Sequence, residues 1–292
     1  MPYQFALIHN PEAGEKKSAI VKQFMKRCKK EGILCTYYET KEDLLPAACA
    51  QKAVREGATA LICAGGDGTV NQVGEIASQY HIPMGILPVG SGNDTARAYS
   101  ISLDPERALE QIFTYRTKKV DVGYANEHFF LNIASVGFDA DVVAKKSTLP
   151  GWIPPSMGYR LSVLLLMLTY KEHTFSISSD AFQRKQKGLL CAVGIGRFYG
   201  GGVEILPDAV IDDGSFSVRF IEDISILERF QLLPALQFGN HLTRFEKVHT
   251  FATKEVALQT NHPVYLNVDG EIIEGVNEVT FTIHPLGIEV FA

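Results

Sequence analysis

The chain has 292 residues, long for one core and comfortable for two. Hydrophobic residues make up 46% and charged residues 21%, the balance of a packed globular protein. A net charge of −5 supplies no global field for nucleic acid, which is therefore not an expected partner.

The first third alternates strand and helix. Residues 4–9 read as a buried strand, and residues 18–30 as a helix with Ile20, Val21, Phe24, Met25 and Cys28 on one face. A second strand is expected over 34–39, a second helix over 44–56, and a third strand over 58–64 that runs into Gly65-Gly66-Asp67-Gly68-Thr69. A helix over 70–79, a strand over 84–87 and another glycine turn follow. Asp104 as N-cap and Pro105 at the first helical position open the next helix. Such alternation implies a parallel sheet wrapped by helices.

After about residue 119 the rhythm changes. Residues 120–124 and 129–135 flank 125–128 as a hairpin. Short β-rich segments at 175–179, 189–195, 215–221, 256–259, 264–268 and 278–283 are interrupted by helices near 158–170 and 225–238. That pattern points to an antiparallel β-sandwich or barrel-like second domain. The expected division is an α/β domain over 1–122, joined by the C-terminal segment 284–292, and a β-sandwich domain over 123–283.

The N-terminus reads as a strand and a polar turn, not a signal peptide. The most apolar later stretch, 161–168, is far shorter than the roughly 20 residues that cross a bilayer. Five cysteines with no CxxC spacing read as reduced structural residues of a cytosolic protein. A lipid partner would then be met peripherally, from the aqueous side at the inner face of the membrane. Exposed edges of a β-rich domain would admit a homodimer.

The strongest local signal is GGDGT at 65–69. A strand ends in three glycines around an aspartate and a helix starts at once. Glycines let the backbone approach a phosphate, and the helix N-terminus offers N–H groups and a positive dipole end. The plain alternative is a tight turn capped by Asp67, but a turn alone does not require three glycines. PVGSGND at 88–94 is a second such turn, where Asp94 could simply cap the helix after it. A third turn spans 10–14, and Thr40 ends the second strand on the same rim. In the β-rich half, the Asp212-Asp213-Gly214 turn offers oxygens of the kind Mg²⁺ or Ca²⁺ takes, or is a solvated hairpin turn. Asp269 and Glu271 stand two residues apart at a strand end, or belong to an Asp-Gly turn. GxxxxGK[ST], a GxGxxG after the first strand, HRD, DFG, HExxH and GxSxG are all missing, which argues against P-loop enzymes, protein kinases, zincins and serine hydrolases.

GGDGT, PVGSGND, GFDAD (137–141), GGGVEILPDAVIDDGSF (200–216) and VDGE (268–271) together resemble, in order, the diacylglycerol kinase catalytic-domain family, and within it the small soluble bacterial lipid kinases. NAD kinases and sphingosine kinases share the first motif. The resemblance implies a three-layer α/β domain, a β-sandwich domain and ATP bound between them. ATP would contact Asn10, Pro11, Gly14, Thr40, Gly65, Gly66, Asp67, Gly68, Thr69, Val70, Asn71 and Ser91. Asp269 would be the general base toward the hydroxyl of a diacylglycerol-like lipid, with Glu271 near the nucleotide. Asp67, Asp94 and Asp121 would organise catalytic Mg²⁺ and its waters. Asp213 with the backbone oxygens of Val210 and Ser215 would hold a structural Mg²⁺. Ser91 replaces a usual threonine, Ala13 a frequent serine, and Arg197 a small or amide residue. A kinase with another acceptor (a sphingoid, phosphatidylglycerol or NAD), a non-catalytic lipid-binding regulator and a dinucleotide oxidoreductase are the competing readings.

Overall fold

A computed structural model describes residues 3–11, 15–147, 155–237 and 245–292. The chain divides into two compact units. One comprises Met1–Val122, Ile211–Asp213 and His284–Ala292; the other comprises Gly123–Val210 and Gly214–Ile283.

The first unit runs β1 (Phe5–His9), α1 (Glu15–Glu31), β2 (Cys35–Glu39), α2 (Pro46–Arg55), β3 (Ala60–Gly65), α3 (Asp67–Tyr80), β4 (Met84–Pro88), α4 (Asp94–Ala98) and α5 (Pro105–Ile112), then enters β5 (Thr117–Ala125). Its strands pair in parallel in the order β2-β1-β3-β4. Every residue of β1, β3 and β4 is buried, as a parallel sheet covered on both faces requires. Ile20, Val21, Phe24 and Cys28 of α1 are buried, and Phe24 meets Phe5 and Phe113. Asp104 caps α5 by accepting the Glu106 N–H at 3.0 Å. One helix starts earlier than its periodicity implied. Gly66 is extended (φ −91°, ψ −177°) and serves as N-cap, so Asp67 begins α3 rather than capping it.

The second unit contains β6 (His128–Phe130), β7 (Ile133–Gly137), α6 (Phe138–Ser147), α7 (Pro155–Thr169), β8 (His173–Ser178), β9 (Gln183–Gly194), β10 (Phe198–Tyr199), β11 (Val203–Glu204), β12 (Phe216–Glu222), α8 (Ile226–Gln237), β13 (Val248–Thr253), β14 (Glu255–Val268) and most of β15 (Glu271–Phe291). The order β13-β12-β9-β7-β14-β15 is antiparallel. Because β8 pairs with both β9 and β14, the strands β7, β9, β8 and β14 close on themselves. This is the expected β-sandwich. Two segments expected over 256–259 and 264–268 are one strand, β14, whose register shifts between Gln259 and Val264. The strand expected over 129–135 is instead cut at Leu131-Asn132. The end of β15 returns to the first unit, where Val290 pairs in parallel with Met84. Among the described residues no helix is long and apolar enough to cross a membrane.

Candidate active site

The two glycine loops of the first unit pack backbone on backbone. A Cβ on Gly90 would collide with the Cα of Gly66, and one on Gly66 would lie 3.4 Å from the Cα of Gly90. The glycines are needed for this approach; the φ of Gly66 is one any residue adopts. Asn93, left-handed at φ 56°, closes the second loop: its Oδ1 accepts the Gly90 N–H at 2.9 Å and its Nδ2 donates to the Gly90 carbonyl at 3.0 Å. Asp67 then links the loops, its Oδ1 accepting the Thr95 N–H of α4 at 3.1 Å. Its Oδ2 and the Oδ2 of Asp94 face the same place, 2.9 and 3.5 Å from where a Cβ on Gly92 would stand. A Cβ on Gly68 would meet nothing within 4 Å, so the first turn of α3 has open space beside it.

The other nucleotide candidates divide. Asn10 donates its N–H to the Ala64 carbonyl at 3.1 Å and its Nδ2 to Thr69 Oγ1 at 3.4 Å, tying the end of β1 to the GGDGT turn. Thr40 is buried, its N–H on the His9 carbonyl at 2.9 Å. Pro11 and Ser91 are exposed, and Asn71 is half-buried. Val70 turns its side chain into the core and its N–H to the Gly66 carbonyl at 3.0 Å. Gly14 lies outside the described residues.

In the second unit, Val268 pairs with Glu271, leaving Asp269 (φ 49°) and Gly270 (φ 96°) as the β14–β15 loop. Positive φ at both positions is the type I′ hairpin signature. Asp269 is therefore a turn residue, and strand alternation does not put it on one face with Glu271, which is exposed. The Asp269 carboxylate accepts three backbone N–H groups, from Leu131 at 2.7 Å, Asn132 at 3.1 Å and Ile133 at 2.9 Å. Its own N–H donates to the Ile133 carbonyl at 3.0 Å. These bonds explain the cut between β6 and β7: the amides that would continue a ladder turn to Asp269 instead. Asn132, which the sequence reading missed, adds a 2.6 Å bond from Nδ2 to the Phe198 carbonyl.

Asp121 is fully buried in the first unit and accepts the Leu286 N–H at 2.7 Å, pinning the C-terminal segment. Among the described residues no three His, Cys, Asp or Glu side chains gather as direct metal ligands. Asp67, Asp94 and Asp121 thus do not form a three-carboxylate cage. On the Asp-Asp-Gly turn, Val210 and Asp213 are exposed and Ser215 is half-buried. The Ile211 carbonyl there accepts the Asp121 N–H at 2.8 Å.

Residues 4–125 match the family model of the diacylglycerol kinase catalytic domain, and residues 132–292 that of the YegS C-terminal NAD kinase beta sandwich-like domain. A protein of Yersinia enterocolitica named for its likeness to the lipid kinase YegS is 28% identical over 95% of this chain and 93% of its own. A diacylglycerol kinase of Staphylococcus aureus is 29% identical over 91% of this chain and 85% of its own. Among solved structures, a Bacillus anthracis diacylglycerol kinase superposes with a TM-score of 0.74 at 18% identity, covering 99% of this chain and 96% of that one. Yeast NADH kinase superposes with a TM-score of 0.56 at 9% identity, covering 99% of this chain and 83% of that one, a likeness of fold alone. The chain belongs to the diacylglycerol kinase catalytic-domain family, whose named members here are lipid kinases.

Proposed function

We propose that the protein is an ATP- and Mg²⁺-dependent lipid kinase that transfers the γ-phosphate to the hydroxyl of a diacylglycerol or related lipid, working peripherally at the inner face of the membrane. The observation that carries this reading is the stacking of Gly66 on Gly90 with Asp67 and Asp94 aimed at one spot beside Gly92. Phosphoryl transfer asks the protein mainly for positioning and for donors that spread negative charge. Gly68 and the N-terminus of α3 supply space, amides and a positive dipole end for the phosphates. Asn10, Thr40, Thr69, Asn71 and Ser91 are proposed as further nucleotide contacts, with Glu271 near the nucleotide.

Mg²⁺ takes one or two carboxylates, substrate phosphates and several waters. The cradle at Gly92, which a Cβ would fill, suits that donor set. Asp67 and Asp94 would hold the ion there and Asp121 would act through water; bound, it neutralises charge on the transferring phosphate. Val210, Asp213 and Ser215 are proposed to hold a second, structural Mg²⁺. Asp269 accepts the proton of the lipid hydroxyl as general base.

Incubation with radiolabelled ATP and Mg²⁺ against a panel of lipids tests the reading. A labelled phosphatidic acid from diacylglycerol is expected. Absence of any labelled lipid, with the protein folded and binding ATP, would leave the fold without this activity.

A further inference from the structure

Three sulfur atoms meet between α1 and β2 in the first unit, away from both glycine loops. Met25 and Cys28 stand three residues apart on one side of α1. Cys35, the first residue of β2, reaches both. Its Sγ lies 3.4 Å from the Met25 Sδ, and the Cys28 thiol donates to it. Cys28 is 1% exposed, whereas Met25 and Cys35 are half-buried. The other cysteines are placed differently. Cys49 turns its thiol to the Glu39 carbonyl, while Cys63 and Cys191 are fully buried and desolvation pushes their thiols up. Buried thiols of that kind are inert. Core packing accounts for a buried Cys or Met taken singly, but it does not require two thiols and a thioether to converge on one another.

The contact makes the two thiols unequal. Donating to Cys35, and buried besides, the Cys28 thiol is pushed up. Accepting that bond draws the Cys35 thiol down, so its proton is the first of the pair to leave. A thiolate, not a thiol, ligates metals. Oxygen is not on offer here. Glu31, whose charge reaches Cys28, has one oxygen on Arg27 and the other on the Tyr115 hydroxyl at 2.9 Å.

That donor set selects the ion. Mg²⁺ and Ca²⁺ take oxygen ligands, and structural Zn²⁺ sites close with four N, S or O ligands. Thiolate with thioether suits a soft ion such as Cu⁺. Metal–sulfur bonds of about 2.3 Å place three trigonal sulfurs about 4 Å apart. The contact of 3.4 Å is a little tighter, so a slight opening of the trio admits an ion. β2 stands at the end of the strand order, beyond β1, which leaves it room to yield. The half-buried Met25 and Cys35 give the ion a way in.

We propose that Met25, Cys28 and Cys35 form a three-sulfur site for a soft monovalent cation of the Cu⁺ class. Cys35 engages first, and Cys28 releases its proton as the ion enters, so uptake weakens as pH falls. The site is independent of the kinase reading, since neither ATP nor lipid takes part in it. The reduced full chain is titrated anaerobically with Cu⁺ against bathocuproine disulfonate as competing chelator. Wild type should take up a single ion, and copper-edge X-ray absorption should show three sulfurs at about 2.3 Å. Cys35→Ala should weaken uptake by at least about 100-fold, the upper end of what disturbing a ligand's support costs. Met25→Leu conserves volume and keeps both thiols. It should weaken uptake about tenfold and leave two sulfurs round the copper. Cys49→Ala should bind as wild type does, and excess Mg²⁺ should displace nothing. Melting curves check that each variant is folded; Cu⁺ should raise the Tm of wild type and not that of Cys35→Ala.

A Met25→Leu protein that binds as wild type does, with two sulfurs round the copper in both, overturns the three-sulfur site. Uptake that persists in Cys35→Ala, or that Cys49→Ala removes, places the ion elsewhere and equally overturns it. Should Cys35→Ala fail to fold, Met25→Leu carries the test alone. If reduced wild type takes up no Cu⁺ while hydrogen peroxide joins Cys28 and Cys35 in a disulfide with release of water, the pair is a redox couple and the metal assignment fails.

Discussion

Asp67 and Asp269 both sit beside glycines, and the backbone treats them differently. Asp67 gives one oxygen to the Thr95 N–H and turns the other toward Gly92, where Asp94 also points. Asp269 gathers three N–H groups from the break between β6 and β7. Amides donated to a carboxylate stabilise its charge. With one amide, Asp67 keeps its second oxygen turned toward Gly92; with three, Asp269 becomes part of the frame. The lesson is that the assigned base is also a structural tether, so a loss of activity on changing it has two sources that must be separated.

The largest expected effect follows from that dual role. Asp269→Asn should lower turnover by about 10²–10⁴-fold, the range for losing a general base. It should also destabilise the second unit by about 1–3 kcal/mol, because an amide NH₂ replaces one acceptor of a buried N–H. Thermal melts and active-site titration of the folded fraction separate the two. A lower melting temperature with normal turnover per folded molecule would leave Asp269 as tether alone.

A change on the other side of the comparison comes next. Gly90→Ala puts a Cβ into the Gly66 backbone, which cannot swing aside as a side chain can. Displacing one loop by a fraction of an ångström should lower kcat/KM for ATP by about 10²-fold. The fold should persist at a cost of about 1–3 kcal/mol, as for other overpacked sites. ATP calorimetry at the wild-type value would separate the stacked loops from the phosphates.

Asp139, in the first turn of α6, supplies a third case, a buried carboxylate whose desolvation outweighs the help of Ser135 and the nearby amides. Its folded value, about 6, lies above the ordinary 3.8, so the folded state holds the proton more tightly than the unfolded chain. Stability from this group is therefore intact below about pH 4 and is lost as pH rises toward 6, by about 2–3 kcal/mol in all. Asp141, pushed to about 7 by burial and by Asp139, acts in the same direction. Urea unfolding of wild type against Asp139→Asn between pH 4 and 7 checks this. The variant should gain on wild type as pH rises; a constant difference would show that the acid is not paying the cost of burial.

Much of the first unit was legible in the sequence because its signals are local. Periodicity located the four parallel strands, and glycine spacing located both loops. What remained illegible depends on distant partners. The donors that cage Asp269 stand 136 to 138 residues away, so an Asp-Gly turn and an anchored carboxylate look alike in sequence. The start of α3 was misplaced because Gly66 took the capping role usually given to a polar side chain. Pro263, which stands between the segments expected over 256–259 and 264–268, sits inside β14 where the register shifts. The cavity lined by Asp139, Met167, Leu189, Tyr199, Val203 and Leu232 draws its walls from β9, β10, β11 and three helices, so no sequence window contained it.

The smallest expected effect concerns α1, whose basic residues offer a route to a membrane. Lys22, Lys26, Lys29 and Lys30 are exposed opposite the buried Ile20, Val21, Phe24 and Cys28. Arg27 is already paired, with Glu31 and, at 3.0 Å, with Glu110, so it adds little free charge to the patch. An anionic leaflet attracts each charge held close to it by about 1 kcal/mol. At physiological ionic strength the reach of such charges shortens to about 8 Å. Reversing Lys22, Lys26 and Lys29 to Glu should therefore weaken binding to phosphatidylglycerol vesicles at low salt and change it by about twofold or less at physiological salt. Hydrophobic contact would show the opposite salt dependence, since it does not weaken as salt screens charge. Titrating salt over wild type and the triple Glu variant checks this. Wild-type binding that vanishes at physiological salt, together with the loss in the variant at low salt, would give the anchor to α1, whereas equal binding by both proteins at every salt concentration would leave the basic face of α1 as a solvated surface.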